Sequence, residues 1–225
     1  MSDHTEDRAQ ALPNDPVDMD QARAEVAEAA RRAIAHLNEA PQTEADLKRA
    51  TALFEEVASL LDRGQALGPK QWRTDKQPGF DTFFRFDPFM GRYNPIAPPA
   101  HLHFDGAEVR GTVTCSAAYE GPPGHVHGGI VAGIFDQLLG FANCSLEHLG
   151  MTARLEVDYR APTPLMTELS LAARRQSLDG RKLFVEGTIS VGDQVTARAL
   201  GLFVQPRPGM LADAVVPRTQ GPAGT

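Results

Sequence analysis

The sequence predicts an α+β protein in which one apolar helix is buried against an antiparallel sheet. Five stretches are strand-like, and the first two alternate apolar and polar residues with period two. The five stretches are 108–117, 153–160, 166–175, 182–191 and 194–204. The turns Asp179-Gly180 and Gly192-Asp193 are hairpin signals that join the last three. The apolar segment Gly129–Asn143 lies between the first strand and the others and is long enough for a helix.

Composition and charge exclude two classes of protein. The 225 residues are 42% hydrophobic and 23% charged, as in an ordinary globular protein. The formal net charge of −7 comes from residues 1–68, and the rest of the chain is neutral, so no surplus of Lys and Arg marks a nucleic-acid binder. The longest apolar run, around 128–142, is about 15 residues, whereas a membrane-spanning helix needs roughly 20.

The start of the sequence and the cysteines indicate a reducing compartment. The stretch MSDHTEDRAQ is acidic and has no apolar run, so it resembles neither a secretory signal nor a transit peptide. We therefore expect a cytoplasmic location. Cys115 and Cys144 form no CxxC pair, and we expect both to be reduced, packed thiols.

The first hundred residues predict an extension outside the sheet. Residues 1–18 are expected to form a disordered tail, and residues 19–68 to hold two amphipathic helices. The apolar stripe of the first helix consists of Val26, Ala30, Ala33, Ile34 and Leu37, and that of the second consists of Leu47, Ala50, Phe54, Val57 and Leu61. Thr43 can cap the second helix, with Asp46 three residues later. Because the polar faces are acidic, we expect the helices to pack on their own domain or on a partner rather than on a membrane.

Two further segments flank the sheet domain. Residues 69–100 contain six prolines and five phenylalanines, which predicts an irregular connector that wraps over the domain that follows. Residues 206–225 are expected to be a flexible tail.

Asp136 interrupts the apolar helix and shares one face with Gly133 and Gly140. A carboxylate in apolar surroundings costs several kcal/mol unless it is paired, and burial raises its pKa. Each glycine in a helix interior also costs about 1 kcal/mol relative to alanine. One interpretation is that the helix leaves room for a ligand beside an acid. The other is structural, with the glycines in close packing and Asp136 bonded to a buried donor.

The loop GPPGHVHGG, residues 121–129, leads directly into this helix. Its last backbone N–H groups lie at the positive end of the helix, which suits a developing oxyanion. His125 and His127 have the spacing of a metal-binding HxH pair. A cupin-type site would need an acid about four residues later, where Val131 and Ala132 stand. We therefore expect no metal, although His101 and His103 could supply further ligands, and His127 could also be purely structural.

The string GHVHGGIVAGIFDQLLG, followed by Thr152 and LEVDYRAPTPL, resembles the hotdog-fold acyl-CoA thioesterases of the PaaI and THEM type. The resemblance covers about residues 101–204 and implies a hotdog domain over 101–205, with a curved sheet wrapped around the helix. It also implies a dimer or a dimer of dimers. In such enzymes the helix acid acts as base or nucleophile, which is Asp136 here.

The resemblance also places His127, Gly128, Gly129 and Thr152 in the catalytic site. The backbone after His127, at Gly128 and Gly129, would polarise the thioester carbonyl, and Thr152 would help to place water. Some relatives have an Asn six residues before this histidine, whereas this chain has Gly121. The bottom-up chemistry is consistent, since thioester hydrolysis needs a base near neutral pH, donors for the oxyanion and a dry slot.

Acyl-CoA is the expected substrate, and no cofactor is expected. Cations would have to match the phosphates of coenzyme A, and the candidate substrate-binding residues are Asp158, Arg160, Arg181 and Lys182. Two other functions stay open: a non-catalytic acyl-CoA-binding protein, and a hydratase or dehydratase that uses His127. The acyl chain, and the choice between coenzyme A and an acyl carrier protein, are not determined by the sequence.

The spacing of His127 and Asp136 predicts that two subunits share each active site. Nine helical residues separate them by about 13 Å along the axis and place them on opposite sides of the helix. One chain could not bring the loop and the acid to the same thioester carbon. A two-fold dimer, in which the loop of one chain faces the acid of the other, resolves this conflict.

Overall fold

The computed structural model describes residues 16–62, 85–105, 108–144, 150–205 and 207. The helices are α1 (Pro16–Glu39), α2 (Glu44–Leu61) and α3 (Gly128–Cys144), and a 3-10 turn spans Ala117–Tyr119. The strands are β1 (Ala100–Asp105), β2 (Glu108–Thr114), β3 (Met151–Tyr159), β4 (Glu168–Asp179), β5 (Lys182–Val191) and β6 (Gln194–Val204).

The six strands form one antiparallel sheet in the order β1-β2-β4-β5-β6-β3. The chain leaves the sheet after β2, forms α3, and returns at the far edge as β3. The hairpins β4-β5 and β5-β6 turn at Gly180 and Gly192, both of which have positive φ. The α+β class is confirmed, and so is the hotdog arrangement of a sheet wrapped around one helix.

The core lies between α3 and one face of the sheet. Ile134, Phe135, Leu138 and Leu139 are fully buried there. On the sheet side, a Cβ added at Gly187 would lie 2.8 Å from Leu139. A glycine at that position therefore lets the sheet approach the helix closely.

Several element boundaries differ from those predicted. β1 was not predicted as a strand, because its sequence AHLHFD buries no residue and so lacks a clear apolar face. The chain leaves β2 at Thr114 and enters the 3-10 turn, so 115–117 are not strand. Helix α1 begins at Pro16 rather than Met19, so the end of the expected tail is helical. The rest of the two expected tails (residues 1–15, 206 and 208–225), the end of the expected helical extension (63–68) and the connector over 69–84 lie outside the described residues.

Helix α1 buries a different face from the one predicted. Ala24 and Ala27 are buried, whereas Val26 and Leu37 of the predicted stripe are 51% and 57% exposed. Helix α1 packs against the 3-10 turn Ala117–Tyr119 and also contacts the segment 85–99, the described part of the predicted connector. Arg31 donates hydrogen bonds to the carbonyls of Ala97 and Arg92 in that segment.

Helix α2 begins as predicted but has no neighbour among the described residues. The Thr43 hydroxyl oxygen accepts a hydrogen bond from the Asp46 N–H at 3.1 Å, which is the expected cap. None of the α2 residues is buried. Packing of its stripe on its own domain is therefore not found in the described part of the chain. Neither α2 nor any other described helix combines the length and the apolar character that crossing a membrane requires.

Candidate active site

Asp136 and Thr152 meet at the edge of the sheet. The Thr152 hydroxyl donates a hydrogen bond to Asp136 Oδ1 at 2.8 Å. Asp136 lies on the half-buried face of α3, and Thr152 is an exposed residue near the start of β3. Oδ1 thus has a fixed donor, and the carboxylate keeps lone pairs for a further partner.

An irregularity in β3 aims Thr152 at the helix. The pairing between β3 and β6 shifts register between Thr152 and Arg154. Such a bulge re-aims the side chains beside it, and bulges are common next to active sites. Thr152 therefore shares the helix side of the strand with Tyr159.

His127 caps the start of α3 with both its backbone and its side chain. The N–H groups of Ile130 and Val131 donate to the His127 carbonyl, and the Gly129 N–H donates to His127 Nδ1 at 2.9 Å. Nδ1 is therefore an acceptor in this arrangement. The Gly129 N–H, assigned to the oxyanion from the sequence, is bonded to the histidine instead.

The Gly128 N–H is the amide that remains for a ligand. No acceptor for it lies among the described residues. As the first N–H of the helix, it has no intrahelical partner. The Gly128 carbonyl accepts a hydrogen bond from the Tyr159 hydroxyl at 2.8 Å. Tyr159 thus ties the helix start to the end of β3.

The two histidines of the HxH pair turn their Nδ1 atoms to the backbone. His125 Nδ1 lies 2.8 Å from the Pro123 carbonyl, and His127 Nδ1 accepts from Gly129. Within the described residues, no three His, Cys, Asp or Glu side chains are grouped as a metal site would require.

Gly121 packs directly on His127. A Cβ at residue 121 would lie 2.7 Å from the Cα of His127. An asparagine there, as in some relatives, would need the loop to move. The presence of glycine rather than asparagine at residue 121 is therefore coupled to the position of His127.

The segment 85–99 covers one side of the helix next to Asp136. A Cβ added at Gly133 would lie 2.2 Å from the Phe89 ring, so the glycine makes room for that ring. Gly140 is different, since an added Cβ there would meet one described atom, at 4.0 Å. Of the two glycines on the Asp136 face, one is therefore explained by packing and the other leaves open space.

A second carboxylate, Asp87, lies in the same segment. Its Oδ1 accepts hydrogen bonds from the N–H groups of Phe89 and Met90, at 2.8 and 3.0 Å. Burial raises the pKa of Asp87 above its ordinary value, and the negative charge of Asp136 contributes to the rise. Asp87 holds the turn that carries Phe89.

The candidate substrate-binding residues fall into two separate groups. Asp158 and Arg160 form an ion pair at 2.8 Å at the end of β3. Their side chains alternate with Tyr159, so they point to the outer face of the sheet. Lys182 lies opposite Val204, which in turn pairs with Met151 at the start of β3. One chain therefore does not bring the four residues together.

Arg181 also has a structural partner. Its guanidinium donates to the Gln205 carbonyl from Nε and Nη2, at 2.8 and 2.6 Å. Lys182 makes no ion pair with the described residues and is the freer cation of the two.

Cys115 is a buried free thiol, as expected for a packed, reduced cysteine. Burial raises its pKa to about 12, so the thiol is neutral at physiological pH. The side chain of Cys144 lies outside the described residues.

Comparison with known proteins identifies the family. The model of the Thioesterase superfamily matches residues 123–198. A crystal structure of a thioesterase superfamily protein is 34% identical to this chain, covers 86% of it and 97% of its own length, and superposes with a TM-score of 0.72. The chain belongs to the thioesterase superfamily.

Curated relatives match this chain over a shorter region. Acyl-coenzyme A thioesterase THEM4 of Rattus norvegicus is 41% identical over 88 residues, 38% of each protein. THEM4 of Xenopus laevis is 35% identical over 88 residues, 38% of this chain and 40% of the relative. The chain thus spans about two fifths of the length of these relatives.

Three residues near the site were not predicted from the sequence. Tyr159 could have been found, because Leu155, Val157 and Tyr159 recur with period two and so share the helix face of β3. Phe89 and Asp87 carried no comparable signal. Their segment is irregular, and its contact with α3 depends on the tertiary fold.

Proposed function

We propose that this protein hydrolyses the thioester bond of an acyl-coenzyme A to a carboxylic acid and free coenzyme A. The observation that carries the proposal is the contact of Asp136 with Thr152 at the edge strand. The names of the THEM4 relatives support the choice of substrate.

In the proposed reaction, the carbonyl oxygen of the thioester accepts a hydrogen bond from the Gly128 N–H. This donor stabilises the negative charge that develops on the oxygen. Asp136 either takes a proton from the attacking water, or attacks the carbonyl carbon itself to form an anhydride that water then hydrolyses to the free acid and Asp136. The C–S bond breaks, and coenzyme A leaves as a thiolate that is then protonated. Thr152 orients the carboxylate and can accept a hydrogen bond from the water.

In our proposal, the Gly128 N–H and the Asp136 carboxylate of one active site belong to different chains. In one chain, Gly128 lies beside Tyr159 at the end of β3, and Asp136 lies beside Thr152 near its start. About 12 Å along the helix axis separates the amide from the acid. One thioester group cannot reach both.

Pairing of β3 with β3 of a second copy would bring the halves together. β3 is an edge strand with no partner on its outer side among the described residues. Antiparallel pairing about Glu156, in which the irregularity between Thr152 and Arg154 takes up one extra residue, places Thr152 opposite Tyr159 of the second copy. Residues opposite each other in a sheet point to the same face, so both helices lie on one side. The acid of one chain then faces the loop of the other.

The same pairing supports a composite site for the phosphates of coenzyme A. It places Arg160 of the second copy opposite Met151, about three strand spacings or roughly 14 Å from Lys182. Arg181 and Lys182 of one chain, with Asp158 and Arg160 of the other, would then form one group. Asp158 would hold Arg160 in place through their ion pair.

Release of free thiol from a panel of acyl-CoA substrates tests the activity. Asp136→Asn keeps the shape of the side chain and removes its charge, so we expect a normal fold and a loss of turnover on the order of 100-fold. Asp193→Asn, which removes a carboxylate from the exposed β5-β6 turn, is the control and should be as active as the wild type. Wild-type protein that binds acyl-CoA without releasing thiol contradicts the proposal.

The phosphate site is tested by separating KM from kcat. We expect that replacing Arg160, Arg181 or Lys182 by alanine raises the KM for acyl-CoA much more than it lowers kcat, because these residues would bind a part of the substrate that does not react. The dependence of KM on salt should weaken in the same variants. An unchanged KM in all three variants would mean that coenzyme A binds elsewhere.

A further inference from the structure

The proposed oxyanion donor, the Gly128 N–H, lies on the least restricted stretch of backbone in α3. Gly128 and Gly129 follow each other at the helix start, and glycine populates more backbone conformations than any other residue. A donor stabilises a developing oxyanion well only when it is oriented before the reaction. The Gly128 N–H therefore needs neighbours that restrict the backbone around it.

Hydrogen bonds from two side chains hold the peptide group between Gly128 and Gly129. Its carbonyl accepts from the Tyr159 hydroxyl at 2.8 Å, and its N–H donates to His127 Nδ1 at 2.9 Å. The Gly128 N–H belongs to the preceding peptide group, whose carbonyl is bonded to the first turn of the helix. Because the Gly128 Cα links the two peptide groups, holding the second one restricts rotation of the first.

We propose that Tyr159 is a positioning residue for thioester hydrolysis, an inference that rests on the proposed function. Together with His127, it fixes the Gly128–Gly129 peptide group at both ends and so keeps the Gly128 N–H aimed at the thioester carbonyl. Tyr159 does not transfer a proton in this role, since its hydroxyl donates to the Gly128 carbonyl.

The Tyr159 ring supports the same peptide group by packing. A Cβ built at Gly128 would lie 3.5 Å from Cε1 and from the hydroxyl oxygen of Tyr159, which is ordinary van der Waals contact. The ring therefore lies against the first residue of the helix. A phenylalanine at residue 159 would keep this packing and lose only the hydrogen bond.

Glycine at residue 129 lets the imidazole of His127 reach the N–H that it binds. A Cβ built there would lie 3.1 Å from Nδ1 and 3.3 Å from Cε1 of His127, which is closer than side chains normally approach. The glycine that loosens the backbone is thus also the one that admits the group holding it.

Tyr159 and His127 are attached to backbone that buried threonines connect. The N–H of the residue after Tyr159 donates to the Thr196 carbonyl at 2.8 Å. The N–H of the residue before His127 donates to the Thr163 carbonyl, also at 2.8 Å. The hydroxyls of Thr163 and Thr196 are hydrogen-bonded to each other at 3.1 Å in the interior. The two side chains therefore share a fixed base.

The role of the hydroxyl is tested with Tyr159→Phe. We expect kcat for an acyl-CoA to fall about 10-fold, less than the roughly 100- to 1,000-fold loss on removal of an oxyanion donor. KM should stay within about 2-fold, because the hydroxyl improves binding of the transition state and not of the substrate. Tyr93→Phe removes a hydroxyl beside Asp20 of α1 and is the control, with the kcat and KM of the wild type.

His127→Asn and His127→Leu separate positioning from proton transfer by the histidine. An asparagine side chain can accept a hydrogen bond from the N–H two residues later, so it can replace Nδ1 as the partner of Gly129. Leucine is of similar size and has no acceptor. We expect kcat to fall about 10-fold with leucine, as for one lost hydrogen bond, and only about 2-fold with asparagine. Equal losses in the two variants overturn the proposal.

Tyr159 and His127 should act as a unit, because they hold the same peptide group. Residues that act as a unit have strongly non-additive effects. The double variant Tyr159→Phe with His127→Leu should therefore be about as slow as either single variant. A loss of about 100-fold, the product of the two single losses, contradicts action on one peptide group.

The orientation of the amides is measured without substrate by NMR relaxation. We expect the order parameters of the Gly128 and Gly129 N–H groups to fall from about 0.85 in the wild type toward about 0.6 in Tyr159→Phe. Circular dichroism and thermal melting verify that the variant is folded. Unchanged order parameters, or an unchanged kcat, overturn the positioning role of Tyr159. A wild type that releases no thiol contradicts the proposed function instead, so the two failures are distinct.

Discussion

The contact between Gly133 and Phe89 connects the segment 85–99 to the proposed active site. The Phe89 ring fills the space that a side chain at residue 133 would need. Gly133 lies one helical turn before Asp136, so whatever moves the ring or the helix at this point also moves the acid. The glycine therefore keeps the segment 85–99 close to the carboxylate.

We expect Gly133→Ala to destabilise the protein by about 1–3 kcal/mol, because overpacking forces the ring or the helix to shift. Urea unfolding measures this change. In a Phe89→Ala background the same substitution should cost far less, which a double-mutant cycle reports as coupling. Gly140→Ala is the matched control, and the higher helix propensity of alanine should there add up to about 1 kcal/mol. Equal effects at the two glycines would contradict the packing described for Phe89.

The residues of the proposed site were largely predictable, and their partners were not. Asp136 stood out as a carboxylate in an apolar helix, and the glycine-rich loop marked the helix start. The bond from Gly129 to His127 Nδ1 was not predictable, since it depends on the orientation of the imidazole at the first helical turn. It leaves one loop amide, rather than two, for the carbonyl.

At the scale of elements, Arg31 is one of several side chains that link α1 to the segment 85–99, with Asp20 on Arg85 and Gln21 on Arg92. The Arg31 side chain is 10% exposed and donates to the carbonyls of Ala97 and Arg92 while it pairs with Glu28. A hydrogen bond from a charged donor contributes about 1.5–3 kcal/mol to stability, more than a hydrogen bond between two neutral groups.

Arg31→Ala should therefore weaken the contact of α1 with the segment 85–99. We expect the amides of α1 to exchange hydrogen at least about 10-fold faster, as a loss of roughly 1.5 kcal/mol in local stability implies. Arg32→Ala removes the same charge from a side chain that is 63% exposed, and it should leave exchange nearly unchanged. Arg31→Lys should not restore protection, because lysine lacks the fork of donors that reaches two carbonyls. If the amides of α1 still exchange slowly in Arg31→Ala, the other contacts of the helix suffice to hold it in place.

The strands were predictable where one face is buried. The stretches 182–191 and 194–204 match β5 and β6 in full, since in both strands buried residues alternate with half-buried or exposed ones over most of the length. β1 could not be recognised because it lies at the sheet edge and buries none of its residues. The buried face of α1 was misassigned because its neighbours, the 3-10 turn and the irregular segment 85–99, are placed beside it by the tertiary fold.

At the scale of the whole molecule, β3 separates the two halves of the proposed site. Its start contacts the acid and its end contacts the loop. The sequence already indicated this separation through the spacing of His127 and Asp136. The route by which a second copy closes it became visible only once β3 was located at the edge of the sheet.

Mixing two inactive variants tests whether the site is shared. Asp136→Asn removes the acid, and Gly128→Pro removes the loop N–H at the first helical position, where proline is tolerated. After exchange of subunits, a heterodimer holds one intact site out of two and should recover up to half of the wild-type activity. If mass spectrometry detects heterodimers and no activity returns, the site lies within one chain.

The position of β3 also sets the order in which the molecule can be completed. Thr152 follows Asp136 by 16 residues, yet the strand that carries it pairs with β6, whose Phe203 lies about fifty residues further on. A chain emerging from the ribosome therefore holds the acid and the threonine long before β6 exists to fix them. Among the described strands, β6 is the last to be synthesised, and it is the strand with which β3 pairs. We expect β3 to join the sheet last, so that catalytic competence arises at the final step of folding.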